Sequence, residues 1–158
     1  MSEPIVYLAG PMSGLTFAQA NEWREFVTDF FDWEMEFLNP MRGKENVFGD
    51  GTVEGHKDYG HLDLMSSIQT IIARDTLDVR RCDVVLANFT GSKDVSIGTI
   101  FELGYAAALN KPVVAIVPKG NVHDHIFVTH PSAVVVETLE QGIDSLASLL
   151  HIEIDRVS

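Results

Sequence analysis

Five short apolar runs, continuous rather than alternating, constrain this chain more than any other feature of it. They are Ile5–Ala9, Glu36–Leu38, Asp83–Ala87, Val113–Val117 and Ala133–Val136. A strand that is apolar at every position is covered on both faces, which is the condition of a parallel sheet between helical layers. Between the runs lie stretches of helical period: Thr16–Trp33 with Phe17, Ala20, Val27 and Phe31 on one face, then Leu64–Arg81, Ile97–Leu109 and Leu139–Leu150. Strands alternating with helices predict a doubly wound α/β sandwich, a flavodoxin-like five-stranded sheet of order 2-1-3-4-5. The 158 residues suit a single domain spanning 1–158, with no repeat and no linker to divide it.

One stretch escapes this pattern. Residues 41–62, rich in Gly, Asp and His, form a connection of a length uncommon in compact domains unless it is functional or mobile. A lid over a ligand pocket is the favoured reading, and a surface excursion is the alternative.

Composition narrows the function. With 11 Lys and Arg against 23 Asp and Glu, the formal charge is −12, which opposes binding to a nucleic-acid polymer but not to a mononucleoside. The single cysteine, Cys82, fits a reducing compartment, and no signal-peptide pattern opens the chain, so a cytoplasmic location is expected.

In a 2-1-3-4-5 sheet the strand order reverses between strands 1 and 3, and ligands bind beyond their carboxyl ends. The loops there are Gly10-Pro-Met-Ser-Gly14 and Asn88-Phe-Thr-Gly-Ser-Lys-Asp-Val-Ser-Ile-Gly98. Their Gly and Ser content lets backbone approach a ligand, but neither carries a dinucleotide or Walker A fingerprint. The second loop leads to Glu102. Thr99 and Glu102 have capping-box spacing, so Glu102 reads equally as a helix cap or as a first-turn carboxylate kept ionised by the helix dipole and aimed into the crevice. Asp75 falls in the middle of the stripe Ile68, Ile71, Ile72, Val79 and Cys82 when projected at about 100° per residue. A carboxylate on a buried helical face costs stability unless it has a partner or a task, and burial raises its proton affinity. An ion pair with Arg74 or Arg80 is the structural alternative to a catalytic acid. Tyr7, mid-strand beside the crevice, reads as core packing or as part of the site.

Tyr7-Leu-Ala-Gly-Pro11, Arg74-Asp75, Cys82-Asp83 opening a strand, and Ser96-Ile-Gly-Thr-Ile-Phe-Glu-Leu-Gly-Tyr-Ala106 together resemble the nucleoside 2-deoxyribosyltransferase superfamily. The resemblance implies that Glu102 is the nucleophile forming a covalent glycosyl-enzyme, that Asp75 protonates the departing base, and that Tyr7 positions the nucleophile. It implies transfer of deoxyribose between bases with retention, no cofactor and no metal, and a homo-oligomer in which a neighbouring subunit completes each pocket. His125 falls near the residue that would do so. Substrate contacts are expected from Gly10, Pro11, Met12, Asn88, Asp94, Ser96 and Gly98. The position six residues before Glu102, an Asp in transferases of free nucleosides, is Ser96 here, as in the related deoxynucleoside 5′-monophosphate N-glycosidases; Asp94 lies close enough to substitute. Transferase is therefore the leading expectation, with the hydrolase and a non-catalytic nucleotide-sensing domain as alternatives.

The remaining motifs are weaker. His123, His125 and His130 match no strong zinc spacing and lie in a stretch that reads as loop. His56 and His61 read as solvated residues of the 41–62 segment, and Trp23 and Trp33 as core or subunit contacts on the first helix.

Overall fold

Strand β1 (Ile5–Ala9) lies between β2 and β3 in a parallel sheet of order β2-β1-β3-β4-β5, with β2 at Glu36–Leu38, β3 at Val84–Asn88, β4 at Val113–Ile116 and β5 at Val134–Val136. The computed structural model describes residues 2–154 apart from 50, 56 and 63. Every residue of β3 and β4 is buried, the condition their continuous apolar sequence requires. Helices α1 (Phe17–Phe31) and α6 (Leu139–Leu150) cover one face through Val27, Phe31, Ile143 and Leu146. Helices α3 (Ile68–Arg81) and α4 (Ile97–Ala108) cover the other through Val79, Leu103 and Ala106. The doubly wound sandwich is thus present in the expected strand order. None of the helices among the described residues is long and apolar enough to cross a membrane.

The differences from expectation lie at boundaries. The first helix stops at Phe31, and Asp32 and Trp33 follow at positive φ, so Trp33 projects into solvent beyond the helix. The stretch from Leu64 is a short 3₁₀ turn to Ser66, and α3 starts only after Ser67 caps it. Two helices of four residues, α2 (Glu45–Phe48) and α5 (Ile126–Thr129), were not predicted; such short turns carry too little periodicity to be read.

The helix cap before Glu102 also moves. Ser96 is extended and its Oγ accepts from Thr99 N, so Ser96, not Thr99, is the N-cap of α4. Glu102 therefore sits in the second turn and caps nothing, which overturns both the capping reading and the first-turn dipole argument. The stripe on α3 is likewise only half as drawn: Ile68 and Ile72 are exposed, while Asp75, Asp78, Val79 and Cys82 are buried.

Candidate active site

The sheet positions the site through a mismatch of strand lengths. Strand β2 pairs with β1 only at Ile5 to Tyr7, whereas β3 follows β1 to Ala9. Beyond Tyr7 the free edge of β1 needs another donor, and Arg24 of α1 supplies it. Its Nε donates to Leu8 O at 3.1 Å, one Nη to Gly10 O at 3.0 Å, and the other to Ala20 O. The guanidinium is fully buried, lies 4.6 Å from the Trp23 ring centroid, and spends its hydrogen bonds on carbonyls rather than on a carboxylate. Its charge is consequently left to act on the neighbouring acids. Gly10 is required at this point, because a Cβ there would meet Asn88 O at 3.0 Å and the Arg24 guanidinium at 3.2 Å.

On the α3 and α4 side of β1, the buried Tyr7 hydroxyl donates to Glu102 Oε1 at 2.7 Å. Glu102 and Asp75 both line one cleft of about 780 Å³, a volume suited to a small ligand. Burial first, and the charge of Asp75 second, push the Glu102 carboxyl up to about 7; the Tyr7 hydrogen bond, Arg24 and Lys44 pull it back. The carboxyl is thus poised to titrate near neutrality. Burial also raises Asp75, against the pull of Lys44 and Arg74. Arg74 Nε approaches Asp75 Oδ1 at 3.3 Å, so the ion-pair alternative is partly realised. The rest of Arg74 is committed elsewhere, to Pro40 O at 2.8 Å and Arg42 O at 3.0 Å. Tyr7 is raised well above the ordinary range by burial and then by the two carboxylates, so it remains a neutral donor.

The described residues of the 41–62 segment form the outer wall of this cleft. Met41, Val47 and Phe48 pack with Ala20 into a small separate cluster, and Phe17 meets Phe48 edge-on at 5.5 Å. Further on, Gly14 N donates to Val53 O at 2.9 Å. The wall contributes Lys44, Val47, Phe48, the stretch 52–55, Lys57 and Tyr59 to the lining.

Of the expected contacts, Gly10, Pro11, Met12, Asp94, Ser96 and Gly98 line the cleft together with Asp75 and Glu102. Tyr7 lies beneath them. Two residues are not brought in. Asn88 turns its Oδ1 to Thr90 N at 3.0 Å and holds the end of β3. His125 caps α5 on the exposed surface and stacks on Phe127, outside this subunit's cleft lining. The other histidines separate. His123 is buried against Phe89; its Nε2 accepts from Ser96 N at 2.9 Å and its Nδ1 faces Asn121 Oδ1 at 2.9 Å, so it braces the β3–α4 loop. His61 is exposed, and His56 lies outside the described residues. Among the described residues no three His, Cys, Asp or Glu side chains gather as a metal-binding group.

The family described as Nucleoside 2-deoxyribosyltransferase matches residues 6–145. The chain belongs to this family. Similar solved structures include the 2-deoxyribosyltransferase of Bacillus psychrosaccharolyticus, 20% identical over 96% of this chain and 99% of that one, with a TM-score of 0.64. The CMP N-glycosidase of Clostridium botulinum is 16% identical over 92% of this chain and 98% of that one, with a TM-score of 0.57. A conserved protein from Enterococcus faecalis is 16% identical over 94% of this chain and 99% of that one, with a TM-score of 0.66. At these identities the likeness establishes the shared fold. Among curated proteins, none matches the sequence closely enough to count as a relative.

Three features of this 2-deoxyribosyltransferase-family site went unread in the sequence. Arg24 falls on the apolar stripe Ala20, Val27 and Phe31, and the projection that singled out Asp75 finds it too. Asp78 is buried on α3 and held by Arg42 and Arg81. Lys44 sits in the irregular segment, where no periodicity marks it.

Proposed function

We propose that this chain is a nucleoside 2-deoxyribosyltransferase in which Glu102 is the nucleophile, Asp75 the acid and Tyr7 the group that orients Glu102. The observation that carries this reading is the 2.7 Å hydrogen bond from a buried, neutral Tyr7 hydroxyl to Glu102 Oε1, at a cleft that Asp75 also lines. Tyr7 fixes one carboxylate oxygen and leaves the other for the anomeric carbon. As Glu102 attacks C1′, the C1′–N bond breaks, its electron pair passes to the base, and the Asp75 proton follows to a base nitrogen. The product is a glycosyl ester on Glu102. A second base then attacks C1′, the C1′–Oε bond breaks with its electron pair returning to the Glu102 carboxylate, Asp75 accepts the incoming base's proton, and two inversions give net retention. No cofactor enters these steps. Residues 41–62 act as the lid that keeps water from the ester.

A second reading, an N-glycosidase of 5′-monophosphates with water as acceptor, is favoured by the 5′ end of the cleft. Ser96 stands there in place of an acid, and the first N–H groups of the 12-residue helix α4, from Ile97 and Gly98, have no intrahelical partner. A Cβ at Gly98 would meet nothing within 4 Å, so a ligand has room to approach. Ser96 itself is already occupied, its Oγ with Thr99 and its N–H with His123. Asp94, exposed on the rim, favours a free 5′-hydroxyl instead.

Incubation with deoxyinosine and free adenine, and with deoxynucleoside monophosphates in parallel, separates these. Newly formed deoxyadenosine supports transfer; free sugar or sugar phosphate without exchange supports hydrolysis. No turnover of either substrate class refutes both and leaves the nucleotide-sensing alternative. We further propose a homo-oligomer formed through the apolar surface of α4 and α5, where Ile97 is 81%, Phe101 56% and Phe127 75% exposed. That arrangement would carry His125 toward a neighbour's cleft.

A further inference from the structure

The steps above use two carboxylates and a tyrosine and leave one buried charge in the cleft without a task. Lys44 is 5% exposed and lines the cleft with Asp75 and Glu102. An ammonium carries three donors, yet the hydrogen-bond partner found for it among the described residues is Met12 Sδ at 3.8 Å, a weak acceptor. A lysine on a surface segment ordinarily runs its stem along the protein and puts its charge in water. Lys44 does the reverse, although it lies in an irregular stretch with solvent close by.

The backbone holds it there. Asn39 Oδ1 accepts from Met41 N at 2.8 Å, and Asn39 Nδ2 donates to Asn21 Oδ1 of α1 at 2.8 Å. Arg74 of α3 grips the Pro40 and Arg42 carbonyls, while Arg42 pairs with the buried Asp78. Lys44 N closes a turn onto Met41 O at 3.1 Å, and Lys44 O accepts from Val47 N at 3.0 Å. The position is therefore anchored to α1 through Asn39 and Asn21 and to α3 through Arg74.

The segment that carries Lys44 hangs on Arg74, whose Nε lies 3.3 Å from Asp75 Oδ1, and this sets Lys44 beside Asp75 in the cleft. Burial lowers the Lys44 ammonium to about 8; Asp75 acts most strongly to keep it protonated and Glu102 more weakly, while Arg74 and Arg24 oppose. Its end of the cleft is that of Asp75, where the base departs in the reading above. When the C1′–N bond breaks, the electron pair leaves with the base. The Asp75 proton neutralises one nitrogen, and during transfer negative charge gathers on the remaining oxygen and ring-nitrogen acceptors. A fixed cation aimed at such an atom strengthens as charge develops, the condition for stabilising a transition state rather than a ground state.

We infer that Lys44 is the electrophile of the leaving-base site, its ammonium donating a hydrogen bond to a carbonyl oxygen or unprotonated ring nitrogen of the departing base. The inference rests on the glycosidic reading of the site. Lys44 keeps its proton throughout; the proton transferred to the base is that of Asp75. The ligand class it selects is a nucleobase bearing an acceptor on the edge turned toward Asp75 and Lys44.

The test compares wild type, Lys44→Met and Lys44→Gln on the base turned over fastest and on analogues lacking one acceptor at a time. These are 3-deaza and 7-deaza purine deoxynucleosides, or 3-deaza and 2-thio pyrimidine deoxynucleosides. Lys44→Met is expected to lose on the order of 10²-fold in kcat/KM with the natural base, as for loss of one donor to a developing charge. Wild type should lose similarly on one particular analogue, and Lys44→Met should lose nothing further on that analogue. Lys44→Gln, which keeps an N–H donor without the charge, should recover part of the rate and carries the test if Lys44→Met does not fold. Equal losses on every base, or a loss confined to KM for 5′-monophosphates, overturns the assignment. A wild type that is active while Lys44→Met is equally active overturns it alone; a wild type inert to all nucleosides and monophosphates overturns the glycosidic reading and this inference with it.

Discussion

Glu102→Gln should abolish turnover and stabilise the protein, and the two effects have one cause. The Glu102 carboxyl moves from an ordinary value of 4.5 to about 7 in the fold, chiefly through burial. At 1.36 kcal/mol per tenfold, that displacement makes the ionised form cost on the order of 3 kcal/mol. The sign follows from proton binding. Between about 4.5 and about 7 the folded chain holds the Glu102 proton and the unfolded chain has lost it, so stability falls as pH rises through this window and the full cost persists above it. Glutamine carries no charge and keeps an oxygen for the Tyr7 hydroxyl. The variant should therefore match wild type at the acid end of the window and exceed it above neutrality. For a chain of this size 1 kcal/mol is worth roughly 2–4 °C, so the expected gain in Tm is roughly 6–12 °C. Thermal unfolding followed by circular dichroism at pH values spanning the window measures the difference, and groups shared by both proteins largely cancel. Exchange activity measured on the same samples should fall by at least about 10³-fold. A Tm difference independent of pH, or a variant less stable than wild type above neutrality, would refute the claim that burial raises Glu102.

The other variants test the neighbours of Glu102. Tyr7→Phe removes the hydrogen bond that helps hold Glu102 ionised, so the acid limb of kcat/KM, expected near about 7 in wild type, should move upward and the rate at neutrality should drop roughly tenfold or more. Asp75→Asn should cost orders of magnitude with poor leaving bases and much less with good ones; equal losses across a base series would remove Asp75 as the acid. Phe101→Asp places a charge on the exposed face of α4 and should convert an oligomer to a monomer by size-exclusion chromatography, with turnover lost alongside. An unchanged elution volume would place the subunit contact elsewhere.

How much of this was legible in the sequence depended on how far apart the interacting residues lie. The strands were readable because full burial leaves a continuous apolar run, as in Val113–Ile116. Asp75 was readable because a helix reports its own buried face. Arg24 was equally exposed to that argument, but a charged residue in a long amphipathic helix is easily assigned to the solvent side, and only the shortfall of β2 against β1 explains why it turns inward. The cap of α4 was misplaced by one helical turn because Ser96 and Thr99 are both competent caps, and the extended backbone at Ser96 decides between them. Lys44 could not be read at all. Its surroundings come from Met12, Asp75 and Glu102, brought together only by the finished fold.

Taken together, the buried charges explain how an acidic chain keeps a workable pair of carboxylates. Burial raises both acids and the charge of Asp75 raises Glu102 further, so without compensation Glu102 would hold its proton at neutral pH, leaving no nucleophile. Arg24 and Lys44 supply that compensation from opposite sides, one fixed beneath the strand end and the other held in the wall. Among the described residues neither is consumed by a direct carboxylate hydrogen bond, so each lowers the cost of the negative form without locking Glu102 or Asp75 in place. The same arrangement bears on the substrate. With Arg24 bound to carbonyls beneath the cleft, and with Lys44 serving the base end as proposed, neither cation would meet a 5′-phosphate. Lys57 is exposed and paired with Glu54. A monophosphate would then rely chiefly on the Ile97 and Gly98 N–H groups and the dipole of α4. It would also approach a chain of net charge −12. A free 5′-hydroxyl would face no such opposition and would have Asp94 as an acceptor, so the charge distribution supports the proposed nucleoside substrate against the nucleotide that Ser96 alone suggests.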